Sequence, residues 1–81
     1  MIDSSLWNKP VLIVIGTTTH WVKNAREAAW LLADQWPVVS GKPFIGALQA
    51  CAAAIEGRSP AAFARLAFVA AARHANLRVE P

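Results

Sequence analysis

The sequence predicts a small α+β domain ordered β-β-α-α-α-β, in which an N-terminal hairpin and a short C-terminal strand pack on three helices. Three observations carry this reading. A β-branched run, Val11-Leu12-Ile13-Val14-Ile15, is followed by a Gly16-Thr17-Thr18 turn and a second run, Thr19-His20-Trp21-Val22-Lys23. That is the pattern of a hairpin. Three later segments repeat apolar residues at i, i+3 and i+4, as amphipathic helices do. Finally, 81 residues suffice for one domain and no more.

The elements follow in order. Residues 1–9 are short and polar and are expected to be frayed. Asn24 is placed to cap the first helix, with Glu27 at its third position in a variant of the capping box. That helix runs over residues 25–35 and presents Ala25, Ala28, Leu31, Leu32 and Gln35 on one face. Trp36 ends it, because the residue before Pro37 is pushed out of helical geometry. Pro43 suits the start of the second helix, whose stripe is Phe44, Ala47, Leu48, Cys51 and Ile55. Gly57 stops it. Ser59 as N-cap and Pro60 at the first position open the third helix, which runs to about residue 75. Its apolar face is Phe63, Ala64, Ala67, Phe68, Ala71 and Ala75, and Asn76 can terminate it. The alanine content of the last two helices predicts a tight helical hairpin. Residues 77–80 alternate apolar and charged, as a short edge strand would.

Composition bounds the function. Hydrophobic residues are 56% of the chain and charged residues 16%, against about 25% in ordinary domains. A domain this small has little interior, so some apolar surface should lie in an interface. Cys51 is the single cysteine, which excludes an intrachain disulfide and suits a reducing cytoplasm. The N-terminal residues lack an export signal, and no apolar run approaches the ~18 residues of a membrane span. The net charge is +3, but Lys9, Lys23, Arg26, Lys42, Arg58, Arg65, Arg73 and Arg78 are scattered. A nucleic-acid footprint is normally a dense patch.

The spacing of several residues resembles the DUF982 family. Pro10-Val11 opens a strand, Glu27-Ala28-Ala29 opens a helix, and Trp36-Pro37 closes it. Ala47, Cys51 and Gly57 follow, then Ala64-Arg65, Ala67-Phe68 and Ala70-Ala71-Ala72. The resemblance extends from about Pro10 to Val79. It implies a small protein of the kind found mainly in rhizobia and related α-proteobacteria. It carries over no catalytic residue, because the family has no assigned activity. One departure is the first strand, apolar here at every position, where more alternation is expected of the family.

That strand is the most informative feature. Val11, Ile13 and Ile15 point one way, Leu12 and Val14 the other, so both faces call for burial. Either the helices wrap both sides, or a second copy covers the open face, or a partner strand extends the edge. Trp30 lies opposite the first helix's apolar face, beside Arg26, which can stack on its ring. Trp21 and Trp7 can cover the sheet, and Trp36 can plug the end of the core. The expected interface is therefore Val11, Leu12, Ile13, Val14, Ile15, Trp21, Trp30 and Arg26.

Chemistry-bearing residues take structural readings. His20 and His74 have no carboxylate at ligand spacing, and His74 suits a helix C-terminus. Cys51 sits among alanines and reads as packing. Arg65 is expected to pair with Glu56 or Asp34, or to lie along aromatic surface. A helix-turn-helix is disfavoured, because the third helix opens with Ala61, Ala62, Phe63 and Ala64 rather than polar base readers. No triad, carboxylate pair, phosphate loop, cofactor motif or metal set is present. The expectation is a non-enzymatic, cytoplasmic module that self-associates as a homodimer or binds an unknown protein. The alternative is a small nucleic-acid-binding regulator, with the tryptophans as a stacking platform.

Overall fold

The hairpin turn is made by two residues, Gly16 and Thr17, between strands β1 (Leu6–Ile15) and β2 (Thr18–Asn24). Gly16 has φ +62°, the left-handed geometry that the first position of a type II′ turn requires. Thr18, expected in the turn, already belongs to β2 and pairs with Ile15. The helices are α1 (Ala25–Asp34), α2 (Lys42–Ile55) and α3 (Ala61–His74), and β3 (Arg78–Glu80) closes the order β-β-α-α-α-β. This is an α+β fold, seen here in a computed structural model that describes residues 6–81.

The sheet is antiparallel with β1 central, in the order β2-β1-β3. Val11 faces Val22 and Ile13 faces His20 across β2, while Ile13 faces Val79 across β3. The helices cover this face, and Val11, Ile13 and Val22 are buried under them. Leu12 and Val14 lie on the other face and are half-buried. Their neighbours there are Trp21 and Thr19 on one side, Glu80 and Arg78 on the other. The two-sided apolarity of β1 thus has a first explanation inside one copy. A central strand has its outer side chains flanked by both neighbouring strands.

β1 starts earlier than its sequence suggests. Leu6 to Lys9, expected to be frayed, form its first part; residues 1–5 lie outside the described residues. Trp7 supplies the reason. It is buried, with its ring 5.7 Å from that of Phe68, and Trp36 packs on the same Phe68 ring at 5.3 Å. The register with β2 breaks between Leu6 and Val11, where Pro10 has no N–H for a ladder.

Local signals fix the helix ends. Asn24 Oδ1 accepts the Glu27 N–H at 2.8 Å, as the capping pattern predicts. The Glu27 carboxylate reaches back one residue further than in the reciprocal box and accepts the Lys23 N–H at 2.8 Å. α2 ends in a Schellman motif, with Arg58 N–H donating to Ala53 and Gly57 N–H to Ala54, and Gly57 at φ +77°. α3 ends likewise through Leu77 to Ala72, with Asn76 in the left-handed position.

The helical hairpin is lined by small residues. Ala47, Ala50 and Ala54 of α2 and Ala64, Ala71 and Ala72 of α3 are buried. Two expectations for α3 are corrected. Ser59 does not cap it, since Pro60 holds the N-cap position. Phe63 is 57% exposed rather than part of the buried stripe, which turns toward Val69 and Ala72. A phenyl ring facing α2 would hold apart two helices that alanines let close.

Candidate functional site

The short link from β2 to α1 generates the most distinctive surface. Asn24 ends the strand and caps the helix with no loop between them, so α1 leaves alongside the strand that feeds it. Ala25, Ala28, Leu31 and Leu32 turn inward, which leaves Arg26 and Trp30 on the outward side. Between this side of α1 and the outer edge of β2 runs a groove of ≈ 510 Å³. Its walls are Thr19, His20, Trp21 and Val22 from the strand and Arg26, Glu27, Trp30 and Leu31 from the helix.

Trp21 and Trp30 both border this groove and are 64% and 56% exposed, with Trp30 on the helix side and the Trp21 side chain carried by strand alternation to the open face, beside Leu12. An exposed tryptophan is unremarkable singly, but a shared groove concentrates apolar surface. Of the expected interface residues, the fold brings together Trp21, Trp30 and Arg26. It separates off Val11 and Ile13, which belong to the core and cannot meet a partner, because the helices already cover them. Ile15 packs partly against the core, while Leu12 and Val14 keep to the open face beside Trp21.

The chain belongs to the DUF982 family. The family model, described as a protein of unknown function, matches residues 9–79. No curated protein and no solved structure matches. In this DUF982 chain the matched span takes in the whole groove, from Thr19 to Leu31.

Arg65 is the residue whose role the sequence concealed. Its Nε donates to the Lys9 carbonyl at 3.0 Å, so α3 holds the irregular stretch of β1 just before Pro10. Neither expected carboxylate partners it. Glu56 instead pairs with Arg58 at 2.6 Å, two residues away on the exposed turn. The partner lies 56 residues distant, which no local spacing signals.

The remaining chemistry-bearing residues do not converge. Cys51 is buried, and burial pushes its thiol up to about 11, away from the reactive thiolate. His20 lies on β2 and His74 at the end of α3, beside Gly41. Among the described residues no three of His, Cys, Asp and Glu cluster as a metal site, and no helix is long and apolar enough to cross a membrane. A second groove lies between α2 and α3, lined by Gly46, Ala50, Ala53, Arg58 and Phe63 among others. It holds one large apolar residue where the first holds two tryptophans.

Proposed function

We propose that this DUF982 protein is a non-enzymatic association module that works as a homodimer in the cytoplasm. The observation that carries the reading is that exposed Trp21 and Trp30 border one strand edge from its two sides, and that no other strand among the described residues pairs with that edge. Covering a half-exposed tryptophan contributes a few kcal/mol at about 25 cal/mol per Å². Arg26 adds a guanidinium that can lie against the partner's aromatic surface. The unpaired, buried Cys51 suits a reducing compartment. Sedimentation equilibrium at micromolar concentration should give the mass of two chains, and Trp30→Ala should shift it toward one. A one-chain mass for the unaltered protein would overturn the reading.

A second reading has its own support on the open face of the sheet. Trp21 and Lys23 share that face by strand alternation, and β3 adds Arg78 opposite Val14 and Glu80 opposite Leu12. An aromatic ring beside cations is a platform for single-stranded nucleic acid, with Glu80 opposing it. Retention of an oligonucleotide at low salt, falling steeply as salt rises, would favour it over the homodimer.

A further inference from the structure

We infer that two copies join edge to edge, β2 against β2, in an antiparallel ladder whose two-fold axis passes between the two copies of His20. This rests on the homodimer reading and supplies its geometry. Of the two outer strands, β3 has three residues and carries Arg78 and Glu80, the charged and short design that discourages pairing. β2 has seven residues, and Thr18 to Val22 contain neither charge nor proline.

The hairpin decides which backbone groups of β2 are free. In a two-residue hairpin the residues flanking the turn form a hydrogen-bonded pair, and such pairs then alternate along the ladder. Ile15 and Thr18 flank the turn. Thr18, His20 and Val22 therefore direct their N–H and C=O groups to β1, and Thr19, Trp21 and Lys23 direct theirs outward. The Lys23 N–H agrees with this, since it is donated to the Glu27 carboxylate rather than to β1. That bond removes Lys23 as an edge donor. Thr19 and Trp21 remain, each with an N–H and a C=O that meet no backbone partner among the described residues.

Only one register uses all of these groups. Directly opposed residues of an antiparallel pair share a face. A two-fold axis must therefore fall on a residue position, not between two. Centred on Trp21, the ladder sets Thr19 against Lys23, whose N–H is taken. Centred on Val22, it leaves Thr19 without a partner. Centred on His20, it sets Thr19 of each copy against Trp21 of the other, and every free donor finds a free acceptor.

The side chains follow. The two copies of Trp21 become diagonal neighbours on the open face, within reach of each other. On the helix face both grooves open toward the axis, so Trp30 and Arg26 of each copy border the other. No lysine, arginine, aspartate or glutamate stands opposite another residue between Thr18 and Val22. The four half-exposed tryptophans of the two copies together present roughly 500 Å² to water, part of which the contact between the two copies of Trp21 and the facing grooves remove. The ladder and the groove walls extend this toward the ~1,200–2,000 Å² of a stable interface.

Two measurements test it. On the unaltered protein, amide hydrogen exchange should show the Thr19 and Trp21 N–H groups protected at concentrations that give a two-chain mass. Exposed amides at that mass would overturn the register and leave the homodimer standing. In the second, His20→Cys should oxidise to a cross-linked dimer with loss of the monomer band, because His20 meets itself across the axis. Gln49→Cys, in the groove between α2 and α3, should stay monomeric on the same gel. Preferential cross-linking through Gln49→Cys would move the contact to that groove and overturn the inference. A one-chain mass would remove both the register and the reading beneath it.

Discussion

Cys51 shows how a residue's surroundings convert a reactive group into a structural one. Its thiol is enclosed by α2 and the core, and burial raises its pKa from 9.0 to about 11. Below 9.0 both folded and unfolded chains hold the thiol proton, and the stability linked to it is fully present. Between 9.0 and about 11 the unfolded chain gives up the proton and the folded chain keeps it, so stability falls as pH rises. The urea midpoint should therefore drop from about pH 8 to about pH 11, and Cys51→Ala should flatten that part of the decline. A thiol reagent should modify Cys51 only at the rate of unfolding. Arg65 and Trp7 teach the complementary lesson. Cys51 was legible from its alanine neighbours and its place on an apolar stripe. Trp7 was not, because its anchor is Phe68 in α3, far along the chain. Arg65 was not, because a backbone carbonyl carries no sequence mark.

At the scale of elements, local chemistry was the readable part. Gly16, Asn24, Gly57 and Asn76 each sit where a turn or helix end demands them, and each does what its type implies. What spacing alone did not reveal was the rotation of α3, which depends on how near α2 approaches. The buried alanines of α2 and α3 set that approach. Ala64→Leu adds volume where no space is left and should cost about 1–3 kcal/mol in chemical denaturation, although leucine is a good helix former. The same substitution at exposed Ala70 should be near neutral, which separates packing from propensity. The apolar run of β1 calls for burial on both faces; the helices take up Val11 and Ile13, and β1 is central, with strands on both sides and Leu12 and Val14 on the open face. The neighbouring strand β2, with its ordinary alternation, carries the exposed tryptophan and the open edge.

For the whole molecule, the proposed homodimer would make stability and association a single equilibrium. If the native chain is dimeric, its unfolding midpoint should rise with protein concentration, and Trp30→Ala should weaken that dependence without unfolding the domain. A midpoint independent of concentration over a hundredfold range would show that one copy is stable by itself. The two sheet edges have a further consequence for stoichiometry. An isologous junction at β2 consumes that edge in both partners. The outer edges of the resulting sheet would both be β3, three residues long and charged at each end. Such edges offer no template for another strand, so growth would stop at two subunits. The short C-terminal strand would then act as a terminator, separating a finite particle from a fibre.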